Sequence, residues 1–327
     1  MRLIVDAEVQ PDTIGRLRAL SPDLEVVDFS HDAAFDATAL VDPDVEVIIG
    51  RRVPTDLMQV PSLRWLQVRS AGVNHLAADP PWRKGVLVTN GRGVYAILIA
   101  EYVTGMVLRV NQPAAWAAGQ AVHHWPDDEP VHSIVRDRTA VIVGYGSIGR
   151  EVARQLSALG MRIVAVKARP EVRADTSFRV PGTGDPDGSI PERIVGVEGL
   201  VEAARSADVL VITMPLTDAT RGLVDPEVIE ALRPSAWLVN VARGALVVEP
   251  ALLDALRDGR LAGAVLDVFG QEPLPEDSPW WEAPNVIVTP HASGVTMRYF
   301  DDLVVENVRR YLVGEPLLNL VDPERGY

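Results

Sequence analysis

Arg243, Glu272 and His291 are the residues of this sequence whose types and positions best suit chemistry. Each follows a short apolar run typical of a strand. Ligands of doubly wound sheets lie at the carboxyl ends of strands, so we expect these three side chains to converge. Histidine titrates near neutral pH and transfers protons. Arginine is a permanently charged, planar donor that binds carboxylates in a fork. The three residues therefore predict proton transfer beside a bound anion.

A glycine-rich segment upstream of them predicts a dinucleotide site. The strand-like run Thr139–Val143 is followed by Gly144-Tyr145-Gly146-Ser147-Ile148-Gly149 and then by a helical pattern. In that context the first glycine permits a tight turn, the second lets a pyrophosphate approach the backbone, and the third allows helix–strand packing. The amides at the helix N-terminus would face the phosphates. We expect cofactor contacts from Gly144, Gly146, Ser147, Ile148 and Gly149.

The next predicted strand, Arg162–Val166, ends at two cations. An acidic residue at this position accepts hydrogen bonds from the ribose hydroxyls of NAD. This sequence instead has Lys167-Ala168-Arg169, and Lys167 is one of only two lysines among 31 basic residues. A 2′-phosphate suits two cations, so Lys167 and Arg169 predict a preference for NADP, with NAD possible. The alternative is a solvated basic turn.

These motifs, in this order, resemble those of the D-isomer-specific 2-hydroxyacid dehydrogenase family, which includes glyoxylate and hydroxypyruvate reductases. The resemblance covers nearly the whole chain. It rests on the glycine turn and on Ser70-Ala71-Gly72-Val73-Asn74-His75, Val241-Ala242-Arg243-Gly244, Asp267-Val268-Phe269, Glu272-Pro273 and Thr289-Pro290-His291. It implies hydride transfer between NAD(P)H and a 2-keto acid or (R)-2-hydroxy acid. It also implies a homodimer, with Trp125 as a candidate interface residue.

The resemblance implies a role for each residue. His291 exchanges the proton on the C2 oxygen, Glu272 stabilises the imidazolium, and Arg243 binds the substrate carboxylate and carbonyl. The backbone amides of Ala71, Gly72 and Val73 would hold the carboxylate, and Asp267 would support the site. Further cofactor contacts are expected from residues that follow strands: Met214, Pro215, Val241, Ala242, Arg243, Asp267, His291, Ser293 and Gly294.

The elements that must position these residues alternate along the chain. Short β-branched runs separated by amphipathic stretches predict parallel sheets covered by helices. The expected fold class is α/β, with two Rossmann-like lobes. We place a discontinuous, flavodoxin-like substrate domain at 1–112 and 296–327, and a dinucleotide-binding domain at 113–295. The segment Arg173–Val195 is rich in Pro, Gly and Asp and is expected to be a loop insertion.

Composition excludes several other classes of protein. The 327 residues include no cysteine, so disulfides, thiolate catalysis and sulfur-ligated zinc are absent. A net charge of −14 makes nucleic acid and anionic membranes unsuitable partners. No apolar run approaches the roughly 18 residues of a membrane span, and we expect a cytoplasmic location. His123, His124 and His132 have no carboxylate spacing beside them, so we expect no metal.

Two alternatives stay open at the level of sequence. A formate- or phosphite-type dehydrogenase shares the fold, but a formate enzyme is expected to pair its histidine with Gln rather than with Glu272. A nucleotide-sensing, corepressor-like binding protein would keep Arg, Glu and His. The short stretch after Leu320 disfavours the long disordered tail expected of such a protein.

Overall fold

The structure, a computed structural model, describes residues 1–30, 42–50, 60–76, 79–112, 123, 133–294 and 298–324. The chain divides into two compact units. The first comprises Met1–Tyr95, Thr176–Pro181 and Thr296–Tyr327, and the second comprises Ala96–Asp175 and Gly182–Val295. Each unit is built on a parallel sheet with helices against it, which confirms the predicted α/β class.

The first unit contains a five-stranded sheet. Its strands are β1 (Arg2–Val5), β2 (Glu25–Asp28), β3 (Val45–Gly50), β4 (Trp65–Val68) and β5 (Leu87–Thr89). Their order, β2-β1-β3-β4-β5, is that of flavodoxin-like sheets, as predicted. Apolar side chains are buried on both faces of the sheet, as parallel sheets require. Helices α1 (Thr13–Arg18) and α7 (Phe300–Val313) pack together on one face.

The second unit contains a seven-stranded parallel sheet. Its strands are β6 (Thr139–Val143), β7 (Arg162–Val166), β8 (Arg193–Val195), β9 (Val209–Ile212), β10 (Trp237–Asn240), β11 (Gly263–Leu266) and β12 (Val286–Val288). Their order is β12-β11-β10-β9-β6-β7-β8. The chain winds outward in opposite directions from β6 and β9, and this reversal marks the point where doubly wound sheets bind ligands.

In the part of the chain that the structure describes, the helices that accompany this second sheet are α2 (Ala96–Val110), α3 (Ser147–Ala158), α4 (Leu200–Ser206), α5 (Pro226–Ala231) and α6 (Glu249–Arg257). Helix α2 packs along α3, and Thr104 Oγ1 donates a hydrogen bond to Gln155 Oε1 at 2.9 Å. The division between the units therefore falls between Tyr95 and Ala96 rather than after residue 112. A long apolar helix gives no sequence signal of which sheet it covers.

The segment Thr176–Pro181 groups with the first unit, although its flanks belong to the second. Phe178 N donates to Asn319 Oδ1 at 3.0 Å. A Cβ atom on Gly93 would overlap the carbonyl of Phe178, so the two backbones touch. Glycine is required at position 93 for this close approach and for its φ of 88°.

The rest of the Arg173–Val195 insertion is bonded to the start of α3. Asp185 accepts hydrogen bonds from Tyr145 Oη at 2.6 Å, and from the amides of Ser189 and Ile190. The buried Arg150 donates to the carbonyls of Asp185 and Arg173. Burial and the hydrogen bond to Asp185 raise the pKa of Tyr145. The predicted loop also includes strand β8, which was not predicted because the residues before it are rich in Pro and Gly.

Candidate active site

Arg243, Glu272 and His291 follow adjacent strands of the second sheet. They come after β10, β11 and β12 respectively, and these strands pair in parallel with one another. Parallel neighbours end at the same edge of a sheet, so the three residues share that edge. His291 Nδ1 lies 2.8 Å from Glu272 Oε2. The expected pairing of histidine with glutamate is present in the structure.

Backbone groups orient the pair formed by His291 and Glu272. Glu272 Oε1 accepts a hydrogen bond from Phe269 N at 2.9 Å. His291 has a φ of 53°, which is uncommon for a residue other than glycine, and its amide donates to Asp267 O at 2.8 Å. With Nδ1 facing the carboxylate, Nε2 is the ring nitrogen left to exchange a proton with a ligand. The ring is 47% exposed, so a ligand can reach it.

The carboxylate of Asp267 holds the backbone on the C-terminal side of His291. It is fully buried, and its Oδ1 accepts from Thr289 Oγ1 at 2.5 Å and from Ala292 N at 2.8 Å. Its Oδ2 accepts from Ser293 N at 3.0 Å. A buried carboxylate is tolerated because these donors satisfy it. The supporting role of Asp267 in the site stays a prediction.

The turn that carries Arg243 is shaped by the buried Asn240. Asn240 Oδ1 accepts from Ala242 N at 3.1 Å, and its Nδ2 donates to Arg243 O at 3.0 Å. Arg243 Nη1 donates to Ala242 O at 2.6 Å. A Cβ atom on Gly244 would overlap the backbone of Phe269, so this turn packs directly on the segment that leads to the glutamate. Glycine is needed there for the close approach.

The glycine turn between β6 and α3 fits a dinucleotide pyrophosphate. Cβ atoms on Gly144 and Gly149 would overlap neighbouring backbone, whereas a Cβ on Gly146 would meet open space. The buried Ser147 Oγ has no hydrogen-bond partner in the described part of the chain. The first amides of an α-helix have no acceptor within the helix. The open face at Gly146 and these donors together suit a phosphate anion.

Lys167 and Arg169 lie directly after β7, at the same edge of the sheet. Arg169 is exposed, while Lys167 is half-buried and its Nζ donates to the carbonyl of Val172. Burial and the nearby Arg150 guanidinium lower the pKa of Lys167. An anion at this turn would relieve both the desolvation and the repulsion.

The other predicted cofactor residues also follow strands of the second sheet. They are Met214 and Pro215 after β9, Val241 and Ala242 after β10, and Ser293 and Gly294 after β12. A Cβ on Gly144 would approach Met214 N to 2.5 Å, so Met214 lies directly against the glycine turn. Every residue predicted to contact the cofactor therefore lies at the carboxyl edge of the seven-stranded sheet.

The predicted carboxylate-binding loop, Ala71–Val73, lies in the first unit after β4. Asn90 Nδ2 donates to Ala71 O at 2.9 Å, and Gly91 N donates to Ser70 O at 2.9 Å. Val73 is buried, while Ala71 and Gly72 remain partly exposed. The adjoining segment thus fixes the loop without covering its two smallest residues.

Sequence reasoning missed two polar residues that support the site. Asn240 shapes the Arg243 turn, and a polar residue at the end of an apolar strand is the signal that marks it. Tyr102, on α2, places its hydroxyl 2.7 Å from Thr289 Oγ1, which in turn donates to Asp267. Burial raises the pKa of Tyr102. No sequence signal exists for Tyr102, because 187 positions separate it from Thr289.

Within the described ranges, no helix is long and apolar enough to cross a membrane. Across the same residues, no three His, Asp or Glu side chains group as metal ligands would. His123 is exposed in a turn, and His124, Trp125 and His132 lie outside the described residues.

The chain is similar to several known proteins. The family model described as "D-isomer specific 2-hydroxyacid dehydrogenase, NAD binding domain" matches residues 104–293. A (S)-sulfolactate dehydrogenase of Chromohalobacter salexigens is 32% identical, over 88% of this chain and 94% of the relative.

Solved structures agree with these sequence matches. A D-isomer specific 2-hydroxyacid dehydrogenase of Xanthobacter autotrophicus, in complex with NADPH and MES, has a TM-score of 0.79 at 30% identity. The match covers 100% of this chain and 99% of the Xanthobacter chain. An NADPH-dependent glyoxylate/hydroxypyruvate reductase of Sinorhizobium meliloti, in complex with NADP and sulfate, has a TM-score of 0.77 at 27% identity with the same coverage.

A doubly wound sheet with a dinucleotide turn and a paired histidine at its carboxyl edge is the arrangement of a nicotinamide-dependent oxidoreductase. The chain belongs to the D-isomer-specific 2-hydroxyacid dehydrogenase family. The protein therefore transfers a hydride between NAD(P)H and a 2-keto acid or 2-hydroxy acid.

Proposed function

We propose that this enzyme is an NADPH-preferring reductase that converts 2-keto acids into (R)-2-hydroxy acids. The observation that carries the cofactor preference is the turn after β7, where Lys167 and Arg169 replace the acid expected of an NAD site. The NADPH and NADP bound in the Xanthobacter and Sinorhizobium structures support the proposal. The homodimer stays a prediction drawn from the resemblance, and the cytoplasmic location stays a prediction drawn from the apolar runs of the sequence.

The proposed mechanism divides binding and proton transfer among this chain's residues. When bound, the reduced nicotinamide supplies a hydride to C2 of the keto acid. Arg243 binds the substrate carboxylate and carbonyl, because a guanidinium offers two parallel donors to planar oxygens. The amides of Ala71, Gly72 and Val73 contribute further donors to the carboxylate. His291 donates a proton from Nε2 to the C2 oxygen.

Glu272 and Asp267 act on the histidine rather than on the substrate. Glu272 faces Nδ1 at 2.8 Å and stabilises the imidazolium that donates the proton. Asp267 fixes the His291 backbone through the amides of Ala292 and Ser293. This division explains why one carboxylate is partly exposed and the other fully buried.

We expect the wild-type enzyme to oxidise NADPH when a small 2-keto acid is added. Absorbance at 340 nm, followed with glyoxylate, hydroxypyruvate, pyruvate and branched keto acids, gives kcat/KM for each substrate with each cofactor. The proposal predicts a higher kcat/KM with NADPH than with NADH for every substrate turned over. Equal or better use of NADH would contradict the cofactor preference and leave the reaction class intact.

A further inference from the structure

Two arginines, Arg69 and Arg92, adjoin the Ala71–Val73 loop without an acidic partner. Arg69 immediately precedes Ser70, and Arg92 lies in the adjoining segment. Among the described residues, neither guanidinium donates a hydrogen bond or pairs with a carboxylate. The chain has 45 acidic residues against 31 basic ones, and other arginines of the first unit, such as Arg2 and Arg16, do pair with acids. Among the described residues, Arg92 differs from other unpaired arginines of this unit, such as Arg64 and Arg83, because its Nε atom is buried.

The backbones that carry these arginines are in direct contact. Gly91 N donates to Ser70 O at 2.9 Å, and a Cβ on Gly91 would overlap the carbonyl of Arg69. The Arg92 backbone is itself fixed, because its amide donates to Asn90 Oδ1 at 3.1 Å and its carbonyl accepts from Asn319 Nδ2 at 2.7 Å. The two side chains thus leave adjoining, well-fixed backbone positions.

Two donors beside the loop are buried without acceptors. Ser70 Oγ and Arg92 Nε have no hydrogen-bond partner in the part of the chain that the structure describes. A buried donor without an acceptor is costly, and a charged one more so, unless a ligand supplies the acceptor. The oxygens of carboxylates, phosphates and sulfonates are the acceptors that a guanidinium binds best.

We propose that Arg92, together with Arg69 and Ser70, forms a subsite for a second anionic group on the substrate. The proposal rests on the proposed function, which already assigns the C1 carboxylate to the Ala71–Val73 amides and Arg243. Arg69 and Arg92 are then left to bind an anionic group at the other end of the substrate. The preferred substrate class is a 2-keto acid with a carboxylate, phosphonate or sulfonate at C3.

The test compares 2-keto acids whose main chains have the same length but whose groups on C3 differ in charge. 2-Oxobutanoate ends in a methyl group, whereas oxaloacetate, phosphonopyruvate and sulfopyruvate carry an anion at C3. Wild-type enzyme with NADPH is expected to show a higher kcat/KM for at least one of the anionic substrates. Arg92→Gln should raise the KM for that substrate on the order of tenfold to a hundredfold, the worth of one charge-assisted hydrogen bond. Its kcat, and both constants for 2-oxobutanoate, should change little.

Matched variants separate a binding role from a structural one. Arg69→Gln should raise the same KM by a smaller factor, and Arg92→Lys should recover part of the loss. Arg16→Gln removes a partly exposed arginine of the same unit that pairs with Asp302, and should leave every constant unchanged. An unchanged KM for NADPH shows that a variant is folded.

Two results would overturn the subsite. One is a wild type that reduces 2-oxobutanoate at least as efficiently as every anionic substrate. The other is an Arg92→Gln variant whose losses with 2-oxobutanoate and with the anionic substrates are equal. Failure to reduce any keto acid, glyoxylate included, is a different outcome that contradicts the proposed function itself.

Discussion

Replacing His291 with alanine is expected to lower kcat by about 10²–10⁴, the usual worth of a positioned acid–base group. The proposed mechanism uses this side chain as its proton donor, and Glu272 Oε2 lies 2.8 Å from its Nδ1. The dissociation constant of NADPH, measured by fluorescence titration, should change little. Glu272→Gln keeps a hydrogen-bonding group beside the ring but removes the charge, so its loss in kcat should be smaller.

His123 offers a matched control for the His291 variant. Both histidines have a φ of 53°, and His123 is exposed in a turn. His123→Ala therefore repeats the removal of an imidazole from a left-handed backbone position, with kcat expected to stay at the wild-type value. Near-normal turnover of His291→Ala would remove this histidine from the mechanism.

Changing Lys167 to Asp and Arg169 to Ala together is expected to weaken the use of NADPH strongly. Charge-assisted hydrogen bonds are worth about 1.5–3 kcal/mol each when well formed. Partial exposure reduces that figure, so the loss in kcat/KM for NADPH should be on the order of tenfold to a thousandfold. The kcat/KM for NADH should stay the same or improve, because an acid at this position accepts hydrogen bonds from the ribose hydroxyls.

The second lysine of the chain provides the control for this double variant. Lys84 and Arg83 lie in the first unit, where Lys84 pairs with Asp79 at 2.7 Å. Lys84→Asp with Arg83→Ala makes the same charge changes in a short 3-10 helix of the first unit and should alter neither cofactor constant. If the wild type favours NADH, the cations at Lys167 and Arg169 are surface charge and the proposed preference is wrong.

Much of the fold could be predicted because the strands are buried on both faces. Runs such as Thr139–Val143 and Val209–Ile212 are continuous and almost entirely apolar, so their positions in the sequence match the structure closely. Strand β8 was missed because it has three residues within a segment rich in Pro and Gly. The boundary at Tyr95 was missed because the packing of α2 on α3 depends on tertiary contacts.

Some residues of the candidate site could likewise be predicted from the sequence, and others could not. His291 and Glu272 could be predicted as partners because each follows a strand and the topology brings those strand ends together. Tyr102 acts through a contact with Thr289 that only the folded chain creates. Asn240 instead bonds the turn that directly follows it, and its signal in the sequence is a polar residue at the end of an apolar strand. Arg92 gave no signal as a site residue, since its adjacency to Ser70 depends on how two loops pack.

Transfer of deuterium from the cofactor tests the central claim of direct hydride transfer most directly. Wild-type enzyme is incubated with glyoxylate or pyruvate and, in separate reactions, with NADPH deuterated at each of the two C4 positions. One labelled cofactor is expected to place deuterium at C2 of the product, and the other to place none. The pyruvate product should be the (R)-2-hydroxy acid by chiral chromatography. A product without deuterium from either cofactor, or an (S) product, would contradict the account. The absence of any product would also contradict it, because a nucleotide-sensing binding protein forms none.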